Sequence, residues 1–103
     1  AGMPNGDYTL GRNKVTKRGD GVFFENQILA GSALTMDKAF RNLLSIGIDV
    51  KEASRRLSTI PADLIGAKDR GRLEKGASAD FVILNEHLDV VEVIVEGSTV
   101  FNR

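Results

Sequence analysis

Between residues 29 and 44 the hydrophobic pattern changes period. Leu29-Ala30-Gly31-Ser32 is a short run of small and apolar residues, and from Met36 onward apolar positions recur three and four apart, at Met36, Ala39, Phe40, Leu43 and Leu44. That spacing lays one stripe along a helix, with Asp37, Lys38, Arg41 and Asn42 on the other side. Thr35 stands at the N-cap position and Asp37 falls in the first turn, near the positive end of the helix dipole. The pattern therefore predicts a helix with a buried face, entered from a tight loop. The glycine of Leu29-Ala30-Gly31 would let that loop bring its backbone N–H and C=O groups close to a ligand. An ordinary loop closing onto a helix fits the same residues.

Upstream, Tyr8, Leu10 and Val15 alternate loosely with polar residues, and 22–25 and 27–29 continue the pattern. Turn signals at Pro4-Asn5-Gly6-Asp7 and Arg18-Gly19-Asp20-Gly21 bracket them, which predicts a pair of hairpin-like strands. Downstream, Gly47 suits a helix C-terminus, and Asp49 with Glu52 three residues on forms a capping box. A second helix is expected over 50–58, with Val50, Ala53 and Leu57 inward. Pro61 then opens a short third helix that carries Leu64 and Ile65 and stops at Gly66. Beyond Ala67 the pattern turns to strands. Phe81-Val82-Ile83-Leu84 is a continuous apolar run, read as a central strand buried on both faces. A turn at 85–89 follows, and Val91, Val93 and Val95 alternate with Glu92, Ile94 and Glu96. Gly97-Ser98 then reverses the chain into Thr99-Val100-Phe101 as a terminal hairpin.

Composition narrows the classes. The 103 residues make one domain's worth of chain, and fourteen basic residues balance fourteen acidic ones. No global field draws the protein to nucleic acid or to an anionic membrane, so neither is expected as a partner. Arg12, Lys14, Lys17 and Arg18 cluster, but only Tyr8 lies near enough to stack a base, and a solvated hairpin accounts for them. With no cysteine, disulfides and thiolate metal sites are excluded, and a reducing compartment, the cytoplasm, is expected. No run is long enough to span a membrane. The first residues, Ala1-Gly2-Met3, suggest either a trimmed start or a piece of a longer chain.

The candidate chemistry is sparse. His87 is the only histidine and lies in a turn beside Glu86 and Asp89, whereas a metal site needs three or four convergent ligands. Ser32 has no histidine nearby to activate it as a nucleophile. Asp80, just before an apolar strand, suits either a base or, better, a residue that closes a turn through backbone hydrogen bonds. No complete catalytic constellation is present, so none of these residues is assigned as catalytic.

Three stretches nevertheless carry a resemblance. Leu29-Ala30-Gly31-Ser32-Ala33-Leu34-Thr35-Met36, then Arg41-Asn42-Leu43, then the fourteen residues from Gly71 to Leu84, with Pro61-Ala62 and Ile65-Gly66 between them, are similar to the C-terminal part of N-acetylglucosamine-6-phosphate deacetylases. The segment from Gly71 to Leu84 marks only the amidohydrolase superfamily, and the 29–36 block narrows it. Arg12 to Val15 departs most from the pattern. The resemblance implies a metal-dependent (β/α)₈ barrel of α/β class joined to a small β-sandwich built from both ends of the chain. This chain would be an α+β C-terminal fragment. Residues 1–66 would end the barrel with the substrate-side hairpin and closing helices, and 67–103 would supply returning strands of the sandwich. A divalent metal would activate the water that releases acetate from the amino-sugar phosphate. Its ligands and the catalytic aspartate would lie outside this chain, which alone would bind no metal and be inactive. The family's substrate contact maps onto Leu29, Ala30 and Gly31, and a homo-oligomer is expected. Two other readings stay open: a freestanding non-catalytic α+β interaction module and a truncated paralogue kept for regulation.

Overall fold

Two-residue loops organise the first part of the computed structural model, which describes residues 1–25 and 27–103. Strands β1 (Gly6–Leu10), β2 (Asn13–Arg18), β3 (Gly21–Phe24) and β4 (Leu29–Ser32) form an antiparallel sheet in that order. Gly11 and Gly19 open the first two hairpin loops with φ of +61° and +57°, the conformation that a type II′ turn requires at its first loop position. Tyr8 pairs with Val15 and Val15 with Phe24. This row lies on one face, and Val15 at its centre is only 4% exposed. The expected pair of strands is thus a four-strand meander. Its last turn is closed by the Phe24 N–H donating to the Ile28 carbonyl (2.8 Å) and the Gln27 N–H to the Phe24 carbonyl (3.0 Å).

The chain divides into two compact units, Ala1–Ala39 and Phe40–Arg103, and the division falls within helix α1 (Met36–Ser45). The helix begins as its pattern predicts, with the Ala39 N–H on the Thr35 carbonyl at 2.9 Å. Its apolar stripe, however, has no fully buried member. Phe40, Leu43 and Leu44 are half-buried and Met36 is exposed, so the expected buried face is only partly covered. At its C-terminus the Gly47 N–H reaches the Leu44 carbonyl and the Ile48 N–H the Leu43 carbonyl, both at 3.1 Å, the paired bonds of a Schellman motif.

Helix α2 (Val50–Ser54) follows, capped by the Asp49 carboxylate, which accepts the Glu52 N–H at 2.8 Å. The capping box is one-sided. Glu52 turns its own carboxylate to Arg55 (2.8 Å) and Arg56 (3.0 Å). The second and third helices are also not separate. α2 runs through one π-helical turn (Arg55–Thr59) directly into α3 (Ile60–Leu64). Pro61 has no N–H to donate to the carbonyl four residues back and its ring crowds that carbonyl. The wider turn, in which the Ile60 N–H donates to the Arg55 carbonyl, lets the helix pass the proline without breaking. A second Schellman pair, the Gly66 N–H to the Asp63 carbonyl at 3.1 Å and the Ala67 N–H to the Ala62 carbonyl at 2.8 Å, ends it. Ala53 is wholly buried and Ala62 nearly so.

Residues 67–80 form turns without a strand, so the strands expected beyond Ala67 begin only at Phe81. Gly71 is held against the helix, where Thr59 Oγ1 donates to its carbonyl. A Cβ on Gly71 would stand 2.7 Å from both the Ala62 Cβ and the Ser58 carbonyl oxygen, at φ +76°. Only glycine fits there. Strands β5 (Phe81–Leu84), β6 (Val90–Val95) and β7 (Ser98–Asn102) then pair antiparallel in that order. The central strand is therefore β6, with Ile94 buried, while β5 is an edge strand whose Phe81, Val82 and Ile83 are exposed. This overturns the expected doubly buried β5. A continuous apolar run shows what a strand can bury, not which neighbours are there to bury it. The terminal hairpin turns at Glu96-Gly97, both with positive φ, one residue earlier than expected.

Candidate substrate-contact strand

Leu29, Ala30 and Gly31 lie in β4, the outer strand of the first sheet, and not in a loop. Val22 pairs with Gly31 and Phe23 with Leu29, with a register shift between them that leaves Ala30 as the extra residue. A bulge of this kind bends and twists a strand and re-aims its groups. Leu29 is 63% exposed, and a Cβ built on Gly31 meets nothing within 4 Å. The strand is therefore open beside Gly31, and on an edge strand alternate N–H and C=O groups point away from the sheet. Such an edge can hydrogen-bond a polar ligand and can neither give nor take a proton.

The exit from β4 is closely held. The Leu34 N–H donates to Ser32 Oγ at 3.0 Å, a local turn that accounts for this hydroxyl without catalysis. The Ala33 N–H donates to the Asp20 carbonyl at 3.0 Å, and Lys38 Nζ reaches Asp20 Oδ2 at 2.6 Å. The hydrogen bond and the positive charge of Lys38 hold the Asp20 carboxyl below its ordinary value. Asp20 was legible in the sequence only as part of a turn. Its partner Lys38, eighteen residues on, gives no local signal.

The other candidates separate from this strand. Asp80 Oδ1 accepts the Glu96 N–H at 2.7 Å, so its role is structural as expected, but it braces the distant β6–β7 turn and not the local turn before β5. Asn85 Oδ1 accepts the N–H groups of His87 (2.9 Å) and Asp89 (3.0 Å). The Asp89 carboxylate takes hydrogen bonds from Asn85 and Arg41 and sits below its ordinary pKa for that reason. His87 is exposed, 3.6 Å from Glu86. Arg12 and Lys14 line an open surface depression with Phe24 and Glu25, as a solvated hairpin would.

With the geometry described, comparison with known proteins decides the family. The pattern described as "Amidohydrolase family" matches residues 28–101. The chain belongs to the amidohydrolase family. An N-acetylglucosamine-6-phosphate deacetylase of Lysinibacillus sphaericus is 38% identical over 97 residues, covering 93% of this amidohydrolase chain and 25% of the relative. An N-acetylgalactosamine-6-phosphate deacetylase of Escherichia coli O157:H7 is 36% identical over 99 residues, covering 94% and 26%. The crystal structure of the N-acetylglucosamine-6-phosphate deacetylase from Thermotoga maritima aligns with a TM-score of 0.88 at 36% identity, over 100% of this chain and 29% of that one. The chain spans about a quarter of the length of these two curated relatives.

Enzymes of this amidohydrolase kind are generally metal-dependent. Among the described residues no group of three or more His, Cys, Asp or Glu side chains converges, and the one histidine is exposed beside a single carboxylate. This donor set does not fit a metal centre. Among the described residues no helix is long and apolar enough to cross a membrane.

Proposed function

We propose that this chain is the C-terminal part of a cytoplasmic, metal-dependent deacetylase that hydrolyses N-acetylglucosamine 6-phosphate to glucosamine 6-phosphate and acetate. The observation that carries this reading is the match over the whole chain, in fold and at 36% identity, to a deacetylase of that name. The parent is a (β/α)₈ barrel with a small β-sandwich, residues 1–66 ending the barrel and 67–103 returning to the sandwich. Support for the second sheet comes from β5, β6 and β7. Val82 pairs with Val93 and Val93 with Phe101, a row of apolar side chains on one face whose outer members are exposed. A covering sheet would bury it.

In this reading Leu29, Ala30 and Gly31 contact the sugar phosphate through backbone groups of β4, the metal and its ligands come from elsewhere in the polypeptide, and the enzyme works as a homo-oligomer. The chain alone is inactive because it lacks an activated water. The near-equal identity to the N-acetylgalactosamine-6-phosphate enzyme favours one second reading, the epimeric substrate. Acetate release by the intact, metal-loaded protein from both sugar phosphates tests these. Faster release from the gluco epimer is expected. A preference for the galacto epimer overturns the substrate, and release from neither overturns the deacetylase and leaves a binding module.

A further inference from the structure

The loop between β2 and β3 holds both ends of the first sheet. Asn5 Oδ1, in the segment before β1, accepts the Gly19 N–H at 3.1 Å. Lys17 Nζ donates to the Gly19 carbonyl at 3.0 Å. One residue on, the Asp20 carbonyl takes the Ala33 N–H at 3.0 Å, and its carboxylate takes Lys38 Nζ at 2.6 Å. Two loop residues thus fasten the chain as it enters β1, as it leaves β4 and at the first turn of α1.

This placement matters for β4. The strand is only four residues long, pairs on one side and carries a register shift in that pairing. A short, bulged edge strand frays readily unless its ends are held. One end is closed by the Phe24–Ile28 turn. The other is held by Asp20.

We propose that Asp20 is a positioning residue: by holding Ala33 and Lys38 it fixes the path of β4 and so the backbone groups that Leu29, Ala30 and Gly31 offer to substrate. The inference rests on the reading of β4 as the substrate contact. Asp20 itself touches no substrate and moves no proton. Its backbone bond survives any side-chain change, so the substitutable part is the carboxylate–ammonium pair. Lys38 is 45% exposed and Asp20 77%, and an exposed pair is a modest restraint, screened by salt.

The test uses the intact metal-loaded enzyme with Asp20→Asn, Asp20→Ala and the charge-swapped double variant Asp20→Lys/Lys38→Asp. KM for the sugar phosphate should rise about two- to fivefold in the single variants, the size of effect an exposed ion pair can produce, with kcat nearly unchanged. The swapped pair should bring KM back towards wild type, and the ratio of variant to wild-type KM should shrink as salt is added. Amide hydrogen exchange over residues 31 to 38, measured without substrate, should quicken in the single variants and recover in the swap. Unchanged KM with quickened exchange overturns the link to substrate. Unchanged exchange overturns the clasp itself. An inactive wild type refutes the reading of β4, and exchange then decides the clasp alone. If Asp20→Ala fails to fold, Asp20→Asn, which keeps the side-chain shape, still reports.

Discussion

β4 and β5 are both four-residue edge strands with a shifted register against their neighbour, yet they are open for opposite reasons. β4 exposes one large side chain, Leu29, followed by the small Ala30 and by Gly31, where an added Cβ meets only open space. β5 exposes Phe81, Val82 and Ile83, the side chains that a protein normally covers. An edge with held ends that narrows to alanine and glycine suits a ligand that comes and goes. An edge of large apolar residues suits permanent cover. In the proposed parent, β4 would meet substrate and β5 would lie under a second sheet.

Substitutions separate the two edges. The largest effect is expected from Gly31→Val in the intact enzyme: a fall in kcat/KM of roughly a hundredfold, as for a misplaced reacting group, with metal content and melting temperature unchanged. Unaltered kinetics would mean that the open space beside Gly31 serves nothing. Next, Gly71→Ala should destabilise the protein by about 3 kcal/mol, since the new Cβ meets Ala62 and the Ser58 carbonyl at an unfavourable φ. A melting temperature that does not move would show that the loop gives way freely.

Val82→Asp probes the cover on β5. At 52% exposure a polar replacement on a bare strand changes stability by less than about 0.5 kcal/mol, whereas beneath a second sheet it costs about 2 kcal/mol or more. The larger loss is expected in the intact protein, read by denaturant unfolding.

The smallest effect concerns acid. The Arg55 guanidinium, and after it that of Arg56, hold Glu52 down from the ordinary 4.5 to about 2. A carboxyl depressed in the folded state contributes stability that is present above the unfolded value and lost as pH falls from about 4.5 towards 2. Glu52→Gln should lower the melting temperature slightly at neutral pH, leave it unchanged at the acid end, and so flatten its fall across that window. An unchanged acid slope would show that the pair is absent in solution.

Local chemistry explains which of these features could be read from the chain. Unlike Asp80, which reaches the distant Glu96 N–H, the helix start at Thr35, the Asp49 cap and the Gly47 and Gly66 stops each depend on groups a few residues apart or on one favoured conformation. Sequence carries such information directly. The continuous passage through Pro61 was missed because a π-helical turn is a compromise between proline's missing N–H and packing that draws the helix onward. β5 was misread because burial belongs to neighbours, and an apolar run does not name them. At the candidate site the residues 29–31 were found through a motif, while their strand geometry depends on pairing with Val22 and Phe23. Asp20 depends on a lysine far along the chain.

The contrast between the two edges is tested most directly by amide hydrogen exchange of the intact protein, with and without a saturating, hydrolysis-resistant analogue of N-acetylglucosamine 6-phosphate. The analogue should slow exchange at Leu29, Ala30 and Gly31 and leave Phe81 to Leu84 as they were. Equal protection of both strands, or none at β4, would contradict the assignment of β4 as the edge that meets substrate.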